Sequence, residues 1–492
     1  MSHEDPLEPS EHEPVIDSSD HAEPSATASS PEDQPQDSAT QTPSLKRKAV
    51  IGSVWALANH GAKQVLRLAS NIVLARLLFP EAFGLMTLVQ TFMVGLEMFS
   101  DLGIMPSIIQ NKRGNDPAFL NTAWTIQVIR GLCLSLCALG LAPLAAQFYR
   151  EPFLMQLLPV TGLQAFISGL NSTKLATANR SLMLGRLTAI EIGSYVVQLV
   201  VTIVAALLYR LNGISDFRAV WSLVLGGFAG TVALMLGSHF ILEGEQNRFH
   251  WDKEAFHSLN RFGRWIFVST VFGFFGLQGD RLILGRLLDV KALGVYSIAL
   301  GLSSIAIQLV DQVSSKVLFP SYSELIRERP ERLYRNLRKA RLILVGLSVG
   351  CSVGMVLLGR LAIQILYDNR YADAGWILQI LAVGLMARAL SITYGDALMA
   401  TGKTVLLAVL IGSSITIQLT SMIVGHHLGG FPGFVVGIAA ANWLIYLMDA
   451  TVFSRIKLWQ PEIDLPVAGL AIVMSLVIYF WSAITSVITG LL

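Results

Sequence analysis

Apolar runs of about 20 residues follow one another along almost the whole chain, and no other feature narrows the possible folds as much. About thirteen can be drawn, at 52–75, 84–105, 119–145, 154–173, 186–208, 218–241, 263–284, 292–316, 340–360, 375–398, 404–425, 433–454 and 467–489. Each is long enough to cross a hydrocarbon core of ~30 Å as a helix. Strands at that depth need a closed barrel and alternating polarity, whereas these runs are continuously apolar. The composition agrees, at 53% hydrophobic and 14% charged with a mean hydropathy of +0.56, above that of a soluble globular domain. The expected class is an all-α polytopic membrane protein.

The net charge of +2 hides an asymmetry. Residues 1–45 hold eleven Asp and Glu and no Lys or Arg, which leaves 36 basic against 23 acidic residues for the remainder. This acidic stretch is rich in Ser and Pro and poor in large apolar side chains, so a disordered, solvated tail is expected. It has neither the basic start nor the apolar core of a signal peptide. Its His3, His12 and His21 are too scattered to read as a metal site. Cys133, Cys137 and Cys351 lack metal or disulfide spacing and read as small buried hydrophobes.

One segment recurs. Asn71 to Leu85 reads NIVLARLLFPEAFGL and Arg281 to Val295 reads RLILGRLLDVKALGV. An offset of 210 residues matches Leu74, Arg76, Leu77, Leu78, Ala82 and Gly84 with Leu284, Arg286, Leu287, Leu288, Ala292 and Gly294. Asp101 falls on Asp311 at the same offset. Six spans separate the copies, so both have the same orientation, as parallel repeats do. The expected architecture is two pseudo-symmetric six-helix lobes around a central cavity, with one additional C-terminal helix. The corresponding divisions are a tail at 1–45, lobes at 46–242 and 263–457, a linker at 243–262, and the extra helix at 458–492.

Alternate loops differ in basic content. One set collects Lys46, Arg47, Lys48, Lys112, Arg113, Lys174, Arg180, Arg186, Arg248, Lys253, Arg261, Arg264 and a dense group from Arg327 to Arg341. The other set holds Arg76, Arg150, Arg210, Arg218, Arg286, Lys291, Arg360 and Arg370. The positive-inside bias puts the first set, and the amino terminus, in the cytoplasm, and leaves Leu492 outside. The basic run after Pro330 reads either as a helix lying on anionic headgroups or as an ordinary cytoplasmic loop.

The pattern LARLLFPEAFGL followed by FSDLGIMPSIIQ (Phe99 to Gln110), with GDRLILGRLLDVKALGVYSIA (Gly279 to Ala299) and VLFPSYSEL (Val317 to Leu325), resembles a known family. It is similar to the polysaccharide transporters, including Wzx-type flippases, of the multidrug/oligosaccharidyl-lipid/polysaccharide exporter superfamily. The resemblance covers about residues 46–460. It implies an undecaprenyl-diphosphate-linked oligosaccharide as substrate, moved across the bacterial inner membrane by alternating access for exopolysaccharide or lipopolysaccharide export. Membrane lipids, a polysaccharide polymerase and the export machinery are the implied partners, and nucleic acid is not one.

Charges at membrane depth are the functional candidates, because burying them unpaired is costly. Lys63, Arg67, Arg130 and Arg388 fall near mid-depth and Glu97 lies deep in the second span, whereas Asp101, Glu191, Asp311, Asp396 and Asp449 lie nearer the cytoplasmic ends. A cavity lined by the four cations would hold a diphosphate head, for which arginine offers a planar donor fork and lysine a point charge. The alternative is that Lys63 or Arg67 pairs with Glu97 and ties two helices together. Asp101 and Asp311 either brace a cytoplasmic gate or end their helices at the headgroup boundary. Asp280 matches an acid of the family's seventh span and would carry a coupling proton; a local ion pair with Arg281 is the other reading.

No nucleotide-binding loop, metal motif or nucleophile–base arrangement is found, so neither a cofactor nor enzyme chemistry is expected. The Gly226–Gly227 and Gly429–Gly430 pairs suit close packing or a turn. A cation or drug exporter of the same superfamily is the alternative function, although its mid-depth groups would be acidic and aromatic. A membrane glycosyltransferase would need a long outer loop bearing catalytic acids, and the outer loops here are short.

Overall fold

The computed structural model describes residues 45–181, 183–213, 217–313, 333–400, 404–456 and 458–491. The acidic tail and the 314–332 part of the second basic segment lie outside them, as do the side chains of Lys46, Arg47, Lys48, Arg261, Arg264 and Asp396. Among the described residues the regular structure is helical throughout. The first half comprises α1 (Leu45–Leu77), α2 (Pro80–Phe99), the short α3 (Ile104–Gln110), α4 (Pro117–Tyr149), α5 (Leu154–Gly169), the short α6 (Lys174–Arg180), α7 (Leu184–Leu211) and α8 (Val220–Phe240). The second half comprises α9 (Lys253–Leu287), α10 (Val290–Val313), α11 (Leu333–Leu366), α12 (Ala374–Ala400) and α13 (Thr404–Arg455), with α14 (Pro461–Leu491) beyond it. Nine helices among the described residues are long and apolar enough to cross a membrane. This is an all-helical, multi-pass membrane protein.

The helix ends follow local chemistry. Asp116 accepts from the amide of Ala118 ahead of Pro117, and Asp252 accepts from the amide of Glu254, so α4 and α9 both begin on an aspartate cap. Helix α13 carries two of the expected spans. It breaks at Gly429 and Gly430, and Gly430 takes φ 58° with ψ −141°, a backbone that glycine alone adopts readily. Helix α9 begins at Lys253, so residues 253–262 are helical.

Side chains invert the pattern of a soluble bundle. On α4 Leu132, Leu136 and Leu139 are exposed, and on α7 so are Val196, Val200 and Val204. These stripes face the lipid. Cys133 and Cys137 lie beside the α4 stripe and are exposed, and Cys351 is half-buried. The expectation of buried cysteines is therefore corrected. Hydropathy gives a span without giving its facing, and this face of α4 points away from the bundle.

The repeated segment forms a close contact between the halves. Gly84 of α2 lies against the carbonyl of Val290, which opens α10, and Gly294 of α10 lies against the carbonyl of Pro80, which opens α2. At an offset of 210 residues this is one contact made twice, reciprocally. A methyl group on either glycine would overlap the opposing carbonyl oxygen. Leu74, Leu78, Ala82 and Leu284 are buried in the same core. The repeat therefore encodes a close crossing of α2 and α10, in which small residues let two backbones touch.

Candidate functional site

Residues 77–80, 211–213, 217–219 and 366–374 lie at one end of the bundle, the Arg76 end; residues 100–117, 170–181 and 240–253 lie at the other, the Arg113 end. Helix α1 carries cations that reach three other helices. Lys63 Nζ donates to Glu191 Oε2 of α7 at 2.6 Å, and both side chains are partly exposed. Arg67 Nη2 donates to Gln308 Oε1 of α10 at 3.0 Å, crossing from the first half to the second. Arg76 donates to the carbonyls of Ile365 (3.0 Å) and Leu366 (3.3 Å) at the end of α11. The alternative Lys63–Glu97 pair is not the one formed. Both acids stand at a depth that Lys63 can reach, and it is α7 that lies beside it; Glu97 belongs to a different cavity.

That cavity, about 320 Å³, is lined by Glu97, Asp101, Gln127, Arg130, Ser168 and Asn171 among others. Arg130 Nε donates to Ser100 Oγ at 3.0 Å and Nη2 donates to the Glu97 carbonyl at 2.8 Å. Gln127 Nε2 donates to the carbonyls of Gly169 and Asn171, both at 3.1 Å. Asn171 is buried, and its side-chain oxygen has no hydrogen-bond donor among the described residues. Asp101 Oδ1 accepts from the amide of Gly103 at 2.9 Å, turning the chain from α2 into α3. Asp101 is thus placed at a helix boundary while also lining the cavity. Asp311 is exposed near the end of α10.

The remaining candidates lie in the second half. Asp280 is buried, and Tyr296 donates to its Oδ2 at 2.6 Å. Arg281 donates to Gln278 Oε1, also at 2.6 Å. The local Asp280–Arg281 ion pair is therefore not formed, because consecutive helical residues point about 100° apart and each finds another partner. Arg388 lines a cavity of about 350 Å³ with Ser391, Gln418, Asn442 and Asp449. Its guanidinium has no hydrogen-bond or ion-pair partner among the described residues. Asn442 and Asp449 are seven residues apart, on one face of the second limb of α13, a spacing that the apolar run conceals. Arg130 and Arg388 thus line two different cavities, and neither Lys63 nor Arg67 lines either of those two.

A polar network that the sequence does not announce fastens α14. Arg341 and Asp464 are fully buried and pair at 2.8 Å. Arg341 also donates to Thr393 Oγ1 (2.9 Å) and Gln460 Oε1 (3.3 Å), and its guanidinium stacks on the Tyr394 ring at 3.8 Å. Tyr394 donates to the second oxygen of Asp464 at 2.6 Å. Arg338 and Glu462 form an ion pair nearby.

At the Arg113 end, the chain between the halves is zipped to the first half. Asn247 accepts from Ser172 Oγ at 2.6 Å and donates to Thr173 Oγ1 at 2.7 Å. The Asp252 amide donates to Thr122 Oγ1 at 2.9 Å. Arg113 Nη2 bridges Asp116 and Asp252, both at 2.7 Å. The hydrogen bond from Arg113 is the main reason that both carboxyls are held below the usual carboxylate range.

Residues 73–375 match the family of polysaccharide biosynthesis proteins. The chain is 22% identical to the lipopolysaccharide biosynthesis protein WzxC of Escherichia coli K12, over 85% of this chain and 82% of the relative. It is 24% identical to the succinoglycan biosynthesis transport protein ExoT of Rhizobium meliloti, over 70% of this chain and 67% of the relative. The fold is that of the lipid II flippase MurJ in an inward closed conformation, with a TM-score of 0.66 at 13% identity, covering 88% of this chain and 92% of that one. An inward-facing multidrug transporter of the MATE family gives 0.61 at 15% identity, covering 80% and 94%. These likenesses bear out the resemblance carried by the repeat.

Proposed function

The chain belongs to the polysaccharide biosynthesis protein family, and from that premise we propose that it is a flippase for lipid-linked oligosaccharides. Its cargo is a repeat unit on undecaprenyl diphosphate, moved from the inner to the outer leaflet of the bacterial plasma membrane for exopolysaccharide or lipopolysaccharide assembly. The observation that carries this reading is a family match that spans both copies of the repeat, with relatives named for lipopolysaccharide and succinoglycan pathways.

The chemistry is consistent with it. A diphosphate bearing sugars cannot enter hydrocarbon unaided, because an unpaired charge there is prohibitively costly. Lys63, Arg67, Arg130 and Arg388 offer donors at depth, and Arg388 has no competing protein acceptor among the described residues. Alternating access would exchange the Arg67–Gln308 contact between the two lobes. Glu97, Asp101, Asp280, Arg281 and Asp311 are the coupling and gating candidates, with Asp280 switching through its Tyr296 hydrogen bond. The Arg113 end, with its excess of Lys and Arg, faces the cytoplasm, and a polymerase receives the unit outside. A drug or cation exporter would want acids where Lys63 and Arg67 stand.

Deleting the gene and following radiolabelled lipid extracts tests the proposal. The completed lipid-linked unit should still be made while surface polysaccharide disappears, and a plasmid copy should restore it. If the completed unit cannot be made, the protein is a synthetic enzyme.

A further inference from the structure

Basic residues are fewer in the loops at the Arg76 end than at the other, yet three arginines line a single cavity there. The cavity, about 370 Å³, is bounded by Arg76, Arg210, Arg370, Asp368, Phe79 and neighbouring small residues. It lies at the junction of the halves. Arg76 and Arg210 come from the ends of α1 and α7, and Arg370 from the turn after α11.

The partners of these arginines leave positive charge uncompensated. Arg370 pairs with Asp368 at 3.0 Å, the one carboxylate of the lining, and lies over the Phe79 ring at 4.5 Å. Its Nη2 also approaches the Arg76 carbonyl, at 3.4 Å. Arg76 donates to two neutral carbonyls of α11. Arg210 is exposed, with no hydrogen-bond or ion-pair partner among the described residues. Among the described lining residues three guanidiniums against one carboxylate leave two positive charges, and the donors of Arg210 are unused.

We propose that Arg76, Arg210 and Arg370 form an anion site for a phosphate or diphosphate group at this end of the bundle. Guanidinium forks match phosphate oxygens in geometry, and their charge-assisted bonds are stronger than those to the carbonyls Arg76 now holds. A volume of this size accommodates a diphosphate. The group can come from a lipid head in the adjoining leaflet or from a free phosphate in solution. Arg210 is the residue to test, because removing it breaks no contact within the described protein. The readout is binding, so it succeeds or fails separately from transport.

The experiment uses the full-length protein in phosphatidylcholine nanodiscs, titrated with inorganic pyrophosphate and followed by thermal shift. Wild type should be stabilised, and Arg210→Gln should weaken the apparent affinity about tenfold, the loss of one charge-assisted contact. Repeating the titration with phosphatidylglycerol in the discs identifies the source. Competition assigns the site to a lipid head, whereas unchanged pyrophosphate affinity assigns it to a free anion. Equal affinity of wild type and a normally melting Arg210→Gln, or no stabilisation of wild type by pyrophosphate, overturns the proposal.

Discussion

Arg130 and Arg341 each lie on the third long helix of their half, yet their surroundings are opposite. Arg130 opens on a cavity of about 320 Å³, bound to one hydroxyl and one carbonyl. Arg341 is sealed, fully buried and paired with Asp464 and Gln460 from the start of α14. In the second half the additional helix supplies the anion and fills the space. In the first half Glu97 and Asp101 line the cavity without an ion pair to Arg130 among the described residues, and among those residues the Asn171 side-chain oxygen has no donor. One frame has thus given a structural lock and an open polar cavity, according to whether α14 reaches in.

The largest test removes the counterion from the lock. Asp464→Ala leaves a buried guanidinium unpaired and should cost about 3–5 kcal/mol, with a correspondingly lower melting temperature in detergent. Arg130→Gln, which gives up two hydrogen bonds in an open chamber, should cost about 1 kcal/mol. Equal losses would break the contrast, because they would mean that the first half depends on its arginine for folding as much as the second.

The next test addresses what the halves share. Gly84→Ala and Gly294→Ala each push a methyl group into the carbonyl of the opposing helix, and each should cost about 1–3 kcal/mol through overpacking. The two losses should be alike, since the contact is reciprocal. A silent Gly294→Ala beside a damaging Gly84→Ala would show that the crossing is lopsided and the symmetry confined to the sequence.

Hydropathy made the spans legible because run length is a local property, readable one helix at a time. The repeat went further: Gly84, Ala82 and Leu78 recur as Gly294, Ala292 and Leu288 since both copies build the same crossing. Lateral neighbours were not legible. Depth alone offered Glu97 as a partner for Lys63, and nothing along the chain ranks α2 against α7 as the neighbour of that side chain. The lock was hidden for a related reason. Arg341 read as the last of a basic cytoplasmic group, and Asp464 lies 123 residues away, ahead of an apolar run. Arg388 was legible as a cation at depth, but its companions Gln418 and Asn442 are uncharged and stood out in no pattern.

The smallest test concerns a difference that the offset of 210 residues makes plain. Lys63 and Arg67 of α1 correspond to Gly273 and Leu277 of α9, and Gln308 corresponds to Met98. Where α1 meets its neighbours through an ion pair and an amide, α9 meets α2 through apolar contacts such as Phe274 on Phe99, with ring centroids 5.1 Å apart. If the cations of α1 serve the substrate, their stability role is minor. The Lys63–Glu191 pair is partly exposed, so Lys63→Ala should cost about 1 kcal/mol or less. Surface polysaccharide export should nevertheless fall sharply. The double variant with Glu191→Gln separates the two roles, because it removes the stranded acid and should recover the lost stability while export stays low. Full export by the double variant would reduce Lys63 to a brace between α1 and α7. The polar junction would then be as structural as the apolar one opposite.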